Sequence, residues 1–180
     1  SKNTFFFEKK INIKIIEKKI KFKISDNQNF IEYSDLGINY LKNISKMIKK
    51  NLGGLLLIDY GYFEEKMKNT LQAVSNHKFA NILNDIGNVD ITHNINFNFL
   101  RKYTEQVVGL KCNLTTQKKF LLSMGIKQRA DILSKNQKFL SKADTFYRLN
   151  RLIDEKQMGN LFKVMLITNK ENNFKVGFKN

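Results

Sequence analysis

The sequence predicts an α/β fold built on an open sheet, and three observations carry that reading. Gly53-Gly54-Leu55-Leu56-Leu57-Ile58 is an apolar run that stops abruptly at Asp59-Tyr60-Gly61-Tyr62. The segment before it has apolar residues at helical spacing. A second apolar stretch, Leu161–Thr168, lies near the other end of the chain. A helix leading straight into an apolar, non-alternating strand is one unit of a doubly wound sheet, with both strand faces covered. Ligands of such sheets bind outside the carboxyl ends of the strands. Asp59, Tyr60 and Gly61 are therefore the first candidates for a site.

The remaining elements come in order along the chain. Thr4–Phe7, Asn12–Ile16 and Ile20–Ile24 read as short strands. In the last two, isoleucine or phenylalanine alternates with lysine, as in a half-buried meander with a solvated basic face. Ser34 caps a helix that begins at Asp35, carries Leu36, Tyr40, Leu41, Ile44, Met47 and Ile48, and stops at Gly53. The strand Leu55–Asp59 comes next. Thr70–Val74 reads as a short strand, residues 76–88 as irregular chain, and Val89–Thr92 as extended. Asn96–Val107 is a helix with Phe97, Leu100, Tyr103 and Val107 along one face. A strand over Gly109–Leu114 leads to a helix over Thr115–Ser123, capped by Thr115 or Thr116. Gln128–Lys135 and Lys138–Asp154 are helical, Leu161–Thr168 is a buried strand, and Phe174–Phe178 is a closing strand.

Composition narrows the function classes. The chain has 180 residues with 42% apolar content, enough for a substantial core. Its net charge of +16 comes from 32 basic and 16 acidic residues. Such a charge points first to nucleic acid or an anionic surface. Arginine occurs only at Arg101, Arg129, Arg148 and Arg151, however, while proline and tryptophan are absent and Asn, Lys, Ile and Phe abound. Those are residues of A/T-rich codons, and bidentate base readers favour arginine, so the charge argues weakly for nucleic acid. The single Cys112 excludes an intramolecular disulfide and a multi-cysteine zinc site. His77 and His93 are the only histidines, so a zinc site from them and scattered acids is a minor alternative. No apolar stretch approaches the roughly 20 residues that span a bilayer, and no signal peptide follows Ser1-Lys2-Asn3. The expectation is a soluble chain in a reducing compartment, with no membrane insertion.

Beyond these patterns, specific motifs recur in order. They are Ile31-Glu32-Tyr33-Ser34, Asp59-Tyr60-Gly61-Tyr62, Thr70-Leu71-Gln72-Ala73-Val74 with His77 and Phe79, and Asp85-Ile86-Gly87. Then come Asp90-Ile91-Thr92-His93 with Phe97, Gln117 with Phe120-Leu121, Gly125-Ile126 and Arg129, and finally Met158-Gly159 with Leu161-Phe162-Lys163-Val164. From about Phe30 onward the chain resembles the MidA family of S-adenosylmethionine-dependent methyltransferases, which includes the mitochondrial complex I assembly methyltransferase. Asn96 replaces the acid of the family's Asp-Leu-Thr-x-His-Val-Asp-Phe stretch. The family's Glu-Leu-Gly-x-Gly-x-Gly loop, the acid for the cofactor ribose and the Asn-Glu-Phe-Phe-Asp-Ala strand have no counterpart here.

The resemblance implies the C-terminal part of a class I (Rossmann-like) methyltransferase with an added α+β substrate-side lobe. With no Pro- or Gly/Ser-rich linker, residues 1–180 read as a single domain. It comprises a β-meander over 1–33, helix plus core strand over 34–62, a substrate-side lobe over 63–160 and closing strands over 161–180. The implied cofactor is S-adenosylmethionine, with its main binding loop absent from this chain. The implied roles are Asp59, Tyr60 and Gly61 against the cofactor, Asp90 and His93 in catalysis, and Gln72, His77 and Gln117 against the substrate. Asp90 lies three residues before His93, as an acid orienting an imidazole would. The implied partners are a protein substrate in respiratory complex I and the chain's own N-terminal half. The implied compartment is the mitochondrial matrix in a eukaryote or the cytoplasm in a bacterium. Arg129 reads as a structural ion-pairing residue and Cys112 as a small apolar one. Two alternatives stay open: a non-catalytic interaction domain or degenerate fragment, and a basic RNA-binding module.

Overall fold

The computed structural model describes residues 9–26, 28–76, 78–83 and 87–178. The expected strand Thr4–Phe7 lies outside them, as do His77, Asp85 and Ile86. The chain divides into two compact units, Ser1–Tyr33 with Glu64–Asn94 and Ser34–Phe63 with Ile95–Asn180. It passes between them three times without a linker composition, which is why the sequence shows no boundary.

In the first unit, residues 12–24 form no meander. Ile13–Ile20 is a helix, α1. Asn12 caps it, its side-chain oxygen accepting from the Lys14 N–H at 3.1 Å. Ile13, Ile16 and Ile20 recur at helical spacing, and Ile20 is fully buried. Over so short a run, lysine–isoleucine alternation fits both periods, and the cap with the buried Ile20 favours the helix. Lys21 ends α1 in the left-handed conformation, with φ of 62°.

A carboxylate organises the turn after α1. Glu17 Oε1 accepts from the Ile24 N–H at 2.9 Å, the Ser25 N–H at 3.0 Å and the Ser25 hydroxyl at 2.7 Å. These donors, the Ile24 N–H first, hold the Glu17 carboxyl below its ordinary range. A carboxyl lowered on folding stabilises the fold above its unfolded pKa and loses that contribution as pH falls through the folded value. Glu17→Gln should therefore lower the melting temperature at neutral pH. The gap to the parent should close as pH falls below about 4.3, the ordinary glutamate value. An equal gap at both pH values would refute this role.

The first unit also holds an antiparallel sheet in the order β3-β2-β4, formed by Gln72–Ser75 (β2), Lys78–Ala80 (β3) and Asp90–Thr92 (β4). Thr70 ties it to the preceding segment. Its N–H and hydroxyl donate to the two oxygens of Glu32, each at 2.8 Å, and its hydroxyl accepts from the Asn94 N–H at 2.9 Å.

The second unit is a four-stranded sheet in the order β5-β1-β7-β6, comprising Gly54–Tyr62 (β1), Ile95–Asn96 (β5), Lys111–Thr116 (β6) and Phe162–Thr168 (β7). β7 is antiparallel to both β1 and β6, and β5 is parallel to β1. Asp35–Asn51 (α2) buries Ile38, Leu41 and Ile48, and Ser34 Oγ caps it by accepting from the Gly37 N–H at 3.0 Å. Leu52, rather than a glycine, takes the left-handed turn at its end, with φ of 56°.

The expectation that β1 has both faces covered is corrected. Leu56 and Ile58 are 45% and 48% exposed. The strand buried on both faces is β7, where Val164, Met165 and Ile167 are fully inaccessible. β7 lies between two strands, β1 and β6. The expected helix over Asn96–Val107 is instead an α-helix over Phe97–Lys102 (α3) that widens into a π-helix over Tyr103–Val108. Thr104 accounts for part of the widened geometry: its hydroxyl donates to the Leu100 carbonyl, and its own carbonyl accepts from the Leu110 N–H past Gly109. Gln117–Ser123 (α4), Ile126–Ser134 (α5), Phe139–Ile153 (α6) and Met158–Leu161 (α7) pack together. The expected closing strand is absent. Residues 174–178 form a turn in which Gly177 has φ of 82° and the Phe178 ring stands 5.4 Å from that of Phe120.

Candidate functional site

The carboxyl ends of β1, β5 and β6 lie at one end of the larger sheet, because all three run in the same direction. β1 ends there in Asp59-Tyr60-Gly61-Tyr62, β5 in Asn96 and β6 in Thr116. β7 starts there and supplies the facing row. Asp59 and Thr116 are both register partners of Lys163, one from each side. Residues in register across adjacent strands share a face. Asp59, Lys163 and Thr116 thus form a polar row across the end of the sheet. The next pair, Tyr60 and Phe162, stacks with ring centroids 4.4 Å apart and a 39° tilt.

Asp59 is exposed, and its Oδ1 accepts from the Tyr60 N–H at 2.8 Å. Tyr60 is 41% exposed, so part of the residue faces solvent. The Lys163 ammonium donates to the Asn160 carbonyl and lies 5.3 Å from the centre of the Phe63 ring. A cation over an aromatic face is attracted by the ring quadrupole. The end of the sheet therefore presents a carboxylate and an ammonium on one face and an aromatic pair on the other. The first can hold hydroxyls and a zwitterion, and the second can stack a flat group.

Gly61, expected against the cofactor, has a packing role in this structure. A Cβ there would lie 2.4 Å from the Ile95 carbonyl oxygen and 2.6 Å from the Phe97 ring. The space is filled by the chain itself, so the glycine lets β5 and Phe97 approach β1. Phe97 is fully buried, and Phe63 packs edge-on to it at 6.5 Å.

Asn96, which stands where the resembling family has an acid, caps α3 by accepting from the Phe99 N–H at 2.9 Å. Its Nδ2 is buried with no partner among the described residues. An orphaned buried donor costs about 1–3 kcal/mol. Asn96→Asp keeps the capping acceptor but exchanges the orphaned donor for a buried carboxylate oxygen without a donor. That desolvation outweighs the favourable charge at the helix start, so the variant should lose about 1–3 kcal/mol at neutral pH, a loss that shrinks in acid as the carboxyl protonates. Urea titrations at two pH values measure this, and a gain of stability at neutral pH would contradict it.

Gln117, expected against the substrate, is buried, and its Nε2 donates to the Leu152 carbonyl at 2.9 Å, which ties α4 to α6. Gln72 donates to the Thr92 hydroxyl at 3.0 Å across the β2–β4 pair. Asp90 and His93 are both exposed in the first unit. His93 Nδ1 lies 3.4 Å from the Asn94 carbonyl, and no bond joins it to Asp90 among the described residues. An Asp–His dyad is thus not formed in this structure. His77 lies outside the described residues. The Cys112 thiol is pushed up to about 12, first by burial and then by the Glu105 charge, so it is protonated and apolar in behaviour. No group of three or more potential metal ligands occurs among the described residues. Among them, too, no helix is long and apolar enough to cross a membrane.

Sequence reasoning missed Lys163. The strand pattern placed it opposite the core-facing Phe162 and Val164, but only the β1–β7 register sets it beside Asp59.

Comparison with known proteins agrees with this architecture. Residues 6–116 match the model of a family described as S-adenosyl-L-methionine-dependent methyltransferases. The chain is 28% identical over 130 residues to the mitochondrial protein arginine methyltransferase NDUFAF7 of Danio rerio, covering 72% of this chain and 30% of that protein. It is 29% identical over 124 residues to the Xenopus laevis protein of the same name, covering 68% and 28%. A COG1565-superfamily protein from Burkholderia thailandensis, crystallised with S-adenosyl-homocysteine, superposes with a TM-score of 0.63 at 24% identity, over 82% of this chain and 38% of that one. A native crystal structure of a COG1565-superfamily protein from the same organism gives 0.64 at 24% identity, over 82% of this chain and 39% of that one. The chain thus spans about 30% of the length of the curated relatives it matches.

Proposed function

Because this chain belongs to that family of S-adenosyl-L-methionine-dependent methyltransferases, we propose that it forms the substrate-side, C-terminal portion of an enzyme that methylates a protein arginine. The observation that supports this most is the polar row Asp59–Lys163–Thr116 at the carboxyl end of β1. That is where an open α/β sheet binds its ligand. The relatives named protein arginine methyltransferases supply the substrate class. The resemblance to MidA proteins extends it to a respiratory complex I subunit, in the mitochondrial matrix of a eukaryote or the cytoplasm of a bacterium.

S-adenosylmethionine, when bound, would supply a sulfonium methyl: the N–C bond to a guanidinium nitrogen forms as the C–S bond breaks, the thioether leaves, and the nitrogen gives up one proton. The residues of this chain do the rest. Asp59 accepts hydrogen bonds from the cofactor, and Tyr60 with Phe162 walls its flat portion. Positioning of the two reactants supplies most of the rate. Asp90, His93 and Gln72 belong to the substrate side. There an exposed carboxylate such as Asp90 can hold a guanidinium and localise its charge. The glycine loop that would cradle the cofactor comes from outside these residues. Gly54 starts β1, paired to Thr168, and forms no such loop.

The test uses the enzyme reconstituted from this chain and the unmatched part of a relative. Asp59→Ala should weaken S-adenosylmethionine binding at least tenfold in calorimetry. Alanine at both Asp90 and His93 should lower turnover while leaving that affinity intact. Unchanged affinity in the first variant would remove Asp59 from the cofactor site. Unchanged turnover in the second would remove the substrate-side assignment. A second reading, a non-catalytic interaction domain, is favoured by the small share of the relatives' length that this chain spans. It predicts assembly with no methyl transfer.

A further inference from the structure

The hairpin of α5 and α6 ends in apolar side chains that the fold leaves bare. Its inward positions are already filled, by Ala130 and Ser134 of α5 and Leu149 of α6, all buried. Phe139 and Leu140, in the first turn of α6, are nonetheless 83% and 81% exposed. Ile132 and Leu133, in the last turn of α5, are exposed as well. Only residues 135–138 separate the two helices, so these side chains stand at one end of the hairpin. The connection is fixed by its own bonds. The Gln137 N–H donates to the Ser134 carbonyl at 3.2 Å, and the Gln137 side-chain oxygen accepts from the Thr145 hydroxyl at 2.9 Å. Adjacent large apolar residues held out in this way mark an interaction site.

The same end is basic. Lys135, Lys138 and Lys142 are exposed, and no acid lies between Asp131 and Asp144. Asp144 is itself paired to Arg148 at 2.8 Å. None of these lysines meets an acid among the described residues. The charge calls for an anionic partner. It also disfavours a second copy, whose own lysines would face these. Direction narrows the choice further. Phe139 and Leu140 are consecutive in a helix, as are Ile132 and Leu133, and consecutive helical side chains diverge by about 100°. A protein groove takes side chains three or four residues apart on one helical face. A fluid acyl layer takes side chains that diverge. The phosphate surface of a nucleic acid would match the charge and leave the aliphatic side chains in water.

We infer that this end of the hairpin seats on an anionic lipid bilayer. Phe139 and Leu140 enter the boundary between headgroups and acyl chains, and Lys135, Lys138 and Lys142 meet the lipid phosphates. Apolar side chains beside lysines are the usual pairing at such an interface, one supplying burial and the other attraction. The contact is peripheral, since no helix among the described residues is long and apolar enough to cross a membrane. It stands apart from the methyltransferase reading, because none of its residues belongs to the polar row of Asp59, Lys163 and Thr116.

The chain has no tryptophan, so Phe139→Trp gives it a single indole at the exposed end. Titrated with vesicles of phosphatidylcholine and phosphatidylglycerol, that indole should shift its emission to shorter wavelength and be quenched by bromine on the acyl chains. Vesicles of phosphatidylcholine alone should bind the chain at least tenfold more weakly, and high salt should release it from the mixed ones. Phe139→Ser with Leu140→Ser should weaken vesicle binding at least tenfold in sedimentation, and so should Lys135→Glu with Lys138→Glu and Lys142→Glu. All these sites are exposed, so both variants should melt as the parent does. If the serine pair lowers the melting temperature, the indole reading decides alone. A chain that ignores the mixed vesicles overturns the inference. So does one that sediments with them while its indole emission stays unshifted, since another basic face is then in contact. Binding that survives both sets of substitutions has the same meaning. An emission shift produced by duplex RNA or polyglutamate without lipid, or one already present in a dimer of the chain, gives the surface to those partners and overturns the bilayer.

Discussion

Phe97→Ala lowers the stability of the larger unit by about 3–5 kcal/mol, the usual range for removing a buried aromatic ring. Phe97 is fully inaccessible. It is the first residue of α3, so the Asn96 cap and the helix fix its backbone. Its ring fills the space above Gly61 and meets Phe63 edge-on. Little surrounds it that could collapse into the void, since β1 and β5 are held by their own pairing. Chemical denaturation followed by circular dichroism gives the number. Phe97→Leu, which keeps most of the volume, should lose distinctly less. A loss below about 1 kcal/mol for the alanine variant would mean that the ring is not a packing centre.

Gly61→Ala is the complementary case, in which one methyl too many is added. The new Cβ would meet a backbone oxygen at 2.4 Å and the Phe97 ring at 2.6 Å. The oxygen cannot rotate away, so β5 must move from β1. Overpacking of this kind costs about 1–3 kcal/mol and occasionally more. The two predictions are coupled. In the double variant the ring is gone, and the added methyl meets only the Ile95 carbonyl. The two losses should therefore be less than additive, by about 0.5–3 kcal/mol as for residues in contact. Strict additivity in a double-mutant cycle would show that the methyl is accommodated elsewhere.

Much of the larger unit was legible in the sequence for local reasons. Ser34 is followed by helically spaced apolar residues and then a turn, and that pattern admits one reading. Thr116 and the helix after it were equally readable. Residues 12–24 were misread because five alternating residues fit a strand and a helix alike. The cap that decides between them is a single asparagine. The closing segment 174–178 was misread because its aromatic residues suit a strand. In the fold, Phe178 spends its ring on Phe120 across a glycine turn instead.

The site divides in the same way. The position of Asp59-Tyr60-Gly61 at the end of an apolar strand is a property of the chain alone, since apolar runs and their polar stops are local. The motifs from Thr70 to Lys163 likewise placed the chain in its family, because residue identities at fixed spacing survive without any knowledge of contacts. Tertiary structure decided what each residue does. Gln117 became a tie to Leu152, Gly61 a seat for Phe97 and Lys163 a neighbour of Asp59. Those outcomes depend on strand register and helix docking between segments far apart in sequence. A residue's type limits the bonds it can make, and only the fold chooses which of those bonds has a partner within reach.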